Sequence, residues 1–286
     1  MRKMMRRVLA TAVATFCMAS AATADNTVWS QPTIPFHVVG NIYYVGTKGL
    51  SAYLITSGGD AILLDGTLKN TASLVEASIV ALGFKLSDIK IIVTSHAHYD
   101  HVAGVAQIKR DSGAKLHAIA ADRWALENGL HDGETSYRRG TFPPVKVDHV
   151  LADGDVVTLG DISMQATLTP GHTPGCTTWS TSVTEAGRAL KVVFPCSVTV
   201  AGNKLFANKR YPGIVGDFEV SFDRLAAMKA DVVLPAHPEF ADVLGRAARR
   251  DAGDKDAFVD PDLLGQIVQK SRATFQKELA RQKARQ

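Results

Sequence analysis

Cysteine is scarce in this chain: three residues, Cys17, Cys176 and Cys196, among 286. That excludes a small disulfide-stapled scaffold and a cysteine-built zinc finger or ribbon. No heptad pattern, low-complexity tract or short-period repeat occurs, so coiled coils and solenoids are excluded as well. The apolar stretch from Val8 to Ser20 is too short to span a bilayer as a helix. A surplus of one charge sign is also missing once the N-terminus is set aside. The formal charge is +4, and Arg2, Lys3, Arg6 and Arg7 account for all of it, leaving 28 basic against 28 acidic residues. A near-neutral protein has no electrostatic footprint for nucleic acid or for a membrane surface. The basic C-terminal "KELARQKARQ" reads as a solvated helix end.

The four cations, the apolar stretch behind them and the small residues Ala22-Thr23-Ala24 form a secretory leader with cleavage expected before Asp25. Bulky Phe16 before Cys17 argues against a lipoprotein anchor. Residues 1–24 are therefore set apart as a signal peptide, and a periplasmic location is expected. The remaining 262 residues, 25–286, suit a single sizeable domain with a large core. Export leaves Cys176 and Cys196 where disulfides persist, so a bridge and a pair of free thiols are both open.

Short β-branched and aromatic runs, "NIYYVG", "SAYLIT" and "DAILLDG", predict a strand meander. "NTASLVEASIVALGF" carries apolar residues at helical spacing and ends near Gly83. "IKIIVTS" is a continuous apolar run, the mark of a buried strand. "HVAGVAQIKRDSG" and "ADRWALENG" predict helices, with a strand "KLHAIA" between them. Residues 130–149 lack periodicity and read as a long loop, a common place for function in a compact domain. A second strand set follows: "DVVTLG", "ISMQATLTPGH", "GCTTWSTSV" and "LKVVFPCSVTV". A helix in "FEVSFDRLAAMKA", a strand in "DVVLPAHPEF" and a last amphipathic helix from Asp262 complete the chain. Strands then helices, roughly twice over, suggest two packed sheets with helices outside.

The segment "TSHAHYDHVAG" places His96, His98, Asp100 and His101 within six positions. On an extended chain His96 and His98, two apart, point the same way. Asp100 and His101 come as the chain turns towards a helix and leave in another direction. Imidazole and carboxylate are zinc donors, so one run can feed two adjacent metals, yet it cannot complete either shell. His172 in "LTPGHTPG" and His237 in "LPAHPEF" also follow apolar strands. Rigid strand, then irregular ligand loop, is a scaffold's way of presenting a site. His37, His117, His131 and His149 lack that setting and read as surface or internally satisfied histidines.

"SHAHYDH", "TPGHTPGCTTW" and "LPAH" resemble the metallo-β-lactamase superfamily, and more narrowly its subclass B3. The likeness extends to "VVGNIYYVGTKGLSAYLI" and "FPPVKVDHVLADGDVVTLG". It implies an α+β fold, the four-layer αββα sandwich, and two zinc ions per chain. His96, His98 and His172 would hold the first, and Asp100, His101 and His237 the second. His101 bears on the subclass, because B1 enzymes usually have a non-ligand there and use a cysteine instead. Glyoxalase II-type hydrolases use a metal-bridging aspartate. No Asp lies between Asp161 and Asp217, where this chain reads "FPCSVTVAGN".

The implied activity is hydrolysis of the β-lactam amide in penicillins, cephalosporins and carbapenems by a metal-bridging hydroxide, which gives antibiotic resistance. Asp100 would orient that hydroxide, Ser197 and Thr199 would hydrogen-bond the substrate carboxylate, and Asp65 would support a ligand from behind. The implied partner is a small β-lactam molecule, with no nucleic acid or membrane, and the protein is expected to be a monomer. Cys176 and Cys196 match positions that some B3 enzymes tie together. A disulfide is the expectation, and a Cys196 thiolate ligand is the rival. Serine β-lactamase chemistry needs S-x-x-K with companion motifs. "SDIK" and "SGAK" occur, but neither "SDN" nor "KTG" does. A lactonase or thioesterase of the same superfamily, and a non-catalytic zinc-binding protein, are the other readings. Turnover across lactam, lactone and thioester substrates separates them.

Overall fold

A computed structural model describes residues 28–135 and 140–285. The expected leader, residues 1–24, lies outside the described residues, as do positions 136–139 of the long loop. Seven strands form one sheet in sequential order: β1 (Phe36–Val39), β2 (Ile42–Tyr44), β3 (Tyr53–Ser57), β4 (Asp60–Leu64), β5 (Ile89–Val93), β6 (Lys115–Ile119) and β7 (His149–Leu151). The first four pair as an antiparallel meander, and β4 to β7 run parallel. Parallel neighbours need crossovers. Here these are α1 (Ala72–Ala81), α2 (Tyr99–Val102), α3 (Val105–Ser112) and α4 (Ala120–Asn128). The second sheet runs β12-β11-β10-β9-β8, from β8 (Val156–Leu159), β9 (Ile162–Leu168), β10 (Thr177–Glu185), β11 (Arg188–Phe194) and β12 (Val232–Val233). Its outer face carries α5 (Ile214–Ala227) and α7 (Leu263–Lys283).

Period-two burial explains the layers. In β5, Ile91 and Val93 face the core between the sheets, where they meet Trp179, Met164 and Phe194. Ile92 faces the other way, into the core formed with α1, α3 and α4, and Ile89 joins it beyond the register shift between β4 and β5. A strand buried on both faces reads as a near-continuous apolar run, as "IKIIV" does apart from exposed Lys90. Phe218, Phe222 and Phe275 fill the third core under α5 and α7. The order helix, sheet, sheet, helix is the expected four-layer α+β sandwich. Among the described residues no helix is long and apolar enough to cross a membrane.

Three elements carried no clear sequence signal: β1, β7 and α6 (Val243–Asp251). The helix expected over 101–113 is broken at Ala103–Gly104. Gly104 passes so close to the exit of β4 that a Cβ there would sit 2.1 Å from the Gly66 carbonyl oxygen. The break lets the ligand-bearing turn end before α3 begins.

The two sheets are hydrogen-bonded to each other at one rim. The Trp179 indole donates to the Thr94 carbonyl at 3.0 Å, and the Thr177 amide donates to Ser95 at 2.8 Å. The Tyr53 hydroxyl donates to Pro235 at 3.0 Å, and the Ser51 amide to Ala236 at 2.9 Å. All four bonds sit where β5 and β12 end, so the loops leaving those strands start from fixed points.

Candidate metal centre

Three segments converge on this rim, past β5, past β9 and past β12, and bring six candidate donors together. His96, His98 and His172 place one ligand atom each within 4.8 Å of one another, and Asp100, His101 and His237 do the same. Asp100 Oδ2 lies 3.3 Å from His101 Nε2 and 3.4 Å from His237 Nε2, and the two nitrogens are 3.2 Å apart. Donors about 2.0–2.1 Å from a tetrahedral zinc lie about 3.3–3.4 Å from each other. The three atoms therefore already have the spacing of a metal shell. His96 Nε2, His101 Nδ1 and His237 Nδ1 are buried without hydrogen-bond partners. Such orphans are costly unless something satisfies them, and at His96 Nε2 a bound cation would do so. The rings of His96 and His101, 4.3 Å apart between centroids, bring the two donor sets side by side.

Each ligand loop is held from behind. His172 Nδ1 donates to the Thr199 carbonyl at 2.8 Å, which turns Nε2 into the site. Asp65 sits in the left-handed region at φ 64° and aims its carboxylate under the ligand turn. It accepts from the Ser95 amide and hydroxyl, both at 2.7 Å, and lies 3.6 Å from His101 Nδ1. Asp122, on α4, accepts from the Ala97 amide at 2.8 Å, the Gly175 amide at 2.8 Å and the Thr173 hydroxyl at 3.2 Å. One carboxylate thus joins the His96/His98 loop to the His172 loop. Gly175 makes the approach possible, since a Cβ there would meet the Asp122 carboxyl carbon at 2.4 Å. Cys176 and Cys196 form a disulfide with Cα atoms 5.7 Å apart, which ties the His172 loop to the exit of β11.

The two donor sets differ electrostatically. Burial, reinforced by neighbouring imidazoles, pushes His96 and His98 well below the ordinary histidine range, and burial lowers His172 to about 4. All three are neutral and ready to donate lone pairs. Burial would also depress His101, but Asp100 and Asp65 outweigh it and raise its pKa. Desolvation would raise Asp100, yet His101 and His237 hold it well below the carboxylate range. The second set therefore favours charge separation more than the first, with Asp100 ionised beside His101.

The domain profile of the metallo-β-lactamase superfamily matches residues 45–237, which contain all six donors. The chain belongs to the metallo-β-lactamase superfamily. Among solved structures, this superfamily member superposes on a subclass B3 metallo-β-lactamase of Bradyrhizobium japonicum with a TM-score of 0.87 and 40% identity, covering 91% of this chain and 98% of the other. Among curated sequences it is 25% identical over 214 residues to a hydroxyacylglutathione hydrolase of Acidiphilium cryptum, 74% of this chain and 70% of that one. It is 30% identical over 119 residues to an uncharacterized Aquifex aeolicus protein, a match of 41% of this chain that spans about half, 52%, of that relative's length.

Ser197 and Thr199 emerge half-buried on the same side of the chain past β11. Their hydroxyls are 2.9 Å apart, and Thr199 Oγ1 is 3.4 Å from His172 Nδ1. The hydroxyl pair thus borders the first donor set. The Cys196 sulfur is bonded to Cys176 and lies against the Ser95 carbonyl, so the thiolate-ligand alternative fails. His131, read from the sequence as an ordinary histidine, is instead 3% exposed, with Nδ1 2.6 Å from His98 Nε2. Trp29 was not singled out either. Its ring lies 5.5 Å from that of His237 and 6.5 Å from that of Tyr99, and Phe240 approaches His237 edge-on at 6.0 Å. His37 donates Nε2–H to the Gly40 carbonyl of its own turn at 2.9 Å, and His117 and His149 pair across β6 and β7.

Proposed function

We propose that this protein is a two-zinc β-lactamase of the B3 type, which opens the amide of penicillins, cephalosporins or carbapenems. The observation that carries the reading is the second donor set, Asp100, His101 and His237, completed at tetrahedral spacing without a cysteine and without a bridging aspartate. The 40% identity to a B3 enzyme over 98% of its length supports it. Zinc held by these donors supplies a water of lowered pKa and a Lewis acid for the lactam carbonyl.

The chain's own residues do the rest. His96, His98 and His172 stay neutral through burial, so no proton must leave before they bind. Asp100 remains ionised beside His101 and His237 and can accept a hydrogen bond from an attacking water with its second oxygen. Ser197 and Thr199 share one hydrogen bond between them, which leaves a hydroxyl proton to donate to a substrate carboxylate. Trp29 and Phe240 wall the His237 side with apolar surface, which limits competing water.

Thioester hydrolysis is the second reading, favoured by the match to hydroxyacylglutathione hydrolase. Against it stands the segment Pro195-Cys196-Ser197, which offers no carboxylate at the end of β11. Zinc-loaded protein is expected to hydrolyse a carbapenem, seen as loss of lactam absorbance, with no burst of covalent acyl-protein. A chelator should abolish the rate and added zinc restore it. Full activity after complete zinc removal would overturn the reading.

A further inference from the structure

We infer that His131 is a positioning residue for the first metal, fixing the tautomer and orientation of His98 by accepting its Nε2–H. The inference rests on His96, His98 and His172 forming a zinc donor set. It does not depend on which bond the enzyme cleaves.

The chain of reasoning begins with the nitrogen atoms. A neutral imidazole carries one N–H and one lone pair, and a ligand must present the lone pair to the metal. His98 Nε2 is 2.6 Å from His131 Nδ1, within hydrogen-bond distance. The metal-binding nitrogen of His98 is then Nδ1, and Nε2 carries the proton. Nδ1 of His131 must accept it, which places the His131 proton on its own Nε2. The His131 ring lies 4.4 Å from that of His98, on which His172 also packs at 4.6 Å between centroids. His98 is held between a fellow ligand and its acceptor.

The other ligands of this set show the same device with different acceptors. His172 donates Nδ1–H to the Thr199 carbonyl, and His96 Nδ1 lies 3.0 Å from the Ser95 hydroxyl. A metal-bound histidine usually gives its second N–H to a carboxylate, a carbonyl or water. His98 alone in this set has another imidazole in that place, supplied from 33 residues away by the long loop after α4. His131 is 3% exposed, so the acceptor is shielded from competing water. Through His131 the loop therefore contributes to the metal centre.

Zinc affinity by chelator competition tests the assignment in the full-length mature protein. His131→Ala should weaken binding at the first site about 10–100-fold. Two ions should still bind at saturation, and the metal-free protein should melt as wild type does. His131→Asn places a side-chain carbonyl where Nδ1 was and should restore most of the affinity. Long-range nitrogen-15 correlation spectra of the zinc-loaded wild type avoid any folding defect of a variant. They should show His98 bound through Nδ1 and protonated at Nε2. Unchanged affinity in His131→Ala, no recovery in His131→Asn, or His98 bound through Nε2 would each overturn the inference. A drop to one bound ion would make His131 a ligand and overturn it too. None of these readouts involves substrate, so failure of the β-lactamase reading leaves the inference standing.

Discussion

Replacing Asp122 by alanine separates metal positioning from fold stability. The carboxylate accepts from the Ala97 and Gly175 amides and is 2% exposed. Its removal strands two buried N–H groups, at about 1–3 kcal/mol each. Against that, burial raises the Asp122 pKa from 3.8 to about 6. Holding it ionised at neutral pH therefore costs about 3 kcal/mol, a cost alanine does not carry. The two effects largely cancel, and the net loss in urea unfolding should be no more than about 3 kcal/mol. Geometry has no such compensation. The Ala97 amide lies between His96 and His98, and Thr173 and Gly175 flank the His172 turn, so the variant uncouples the loops carrying all three ligands. Zinc affinity at the first site should fall about 10–100-fold, the usual effect of losing outer support. Asp122→Asn, with one carbonyl oxygen and one opposing amide, should fall between. A variant that loses more than about 5 kcal/mol while binding zinc as wild type does would show that Asp122 serves stability alone.

The disulfide closes a loop with a sequence separation of 20, so Cys176→Ser with Cys196→Ser should cost about 3 kcal/mol in thermal or urea unfolding. An unchanged midpoint under non-reducing conditions would contradict this. Filling the first donor set at pH 7 should release almost no proton, because burial keeps its imidazoles neutral. Filling the second should release more, because Asp100 and Asp65 raise the pKa of His101 and favour its protonated form in the metal-free fold. The second site should consequently empty first on acidification, and an equal pH dependence of both sites in a zinc titration would contradict it. The metal-free protein should lose stability as pH falls from 6.5 towards 4. An unfolded chain takes up the proton that buried His172 refuses, worth about 3 kcal/mol in the denaturant midpoint series.

The layers were legible wherever burial has a period. "IKIIV" is apolar except for exposed Lys90 because β5 is covered on both faces over the rest of its length, and α7 shows its stripe through Leu264, Val268 and Phe275. Short elements without such a signal, β1, β7 and α6, were not. The six donors were legible because each follows a strand or forms part of one compact run. His131 sits in an aperiodic loop, and its partner is 33 residues distant, so nothing local distinguishes it from a surface histidine. Asp122 was hidden for a different reason: in "ADRWALENG" it reads as one more polar residue of a surface helix, and only the fold brings Ala97 and Gly175 to it. The bridge was an expectation from the B3 resemblance, with free thiols and a Cys196 thiolate ligand as alternatives, and no spacing in the sequence chose among them.

Catalytic efficiency of the zinc-loaded protein, measured side by side on a carbapenem, a cephalosporin, a penicillin and an S-acylglutathione thioester, bears most directly on what this centre does. Zinc-dependent turnover of at least one β-lactam, well above the thioester, is the expected outcome. Turnover of the thioester with no detectable loss of any lactam would contradict it.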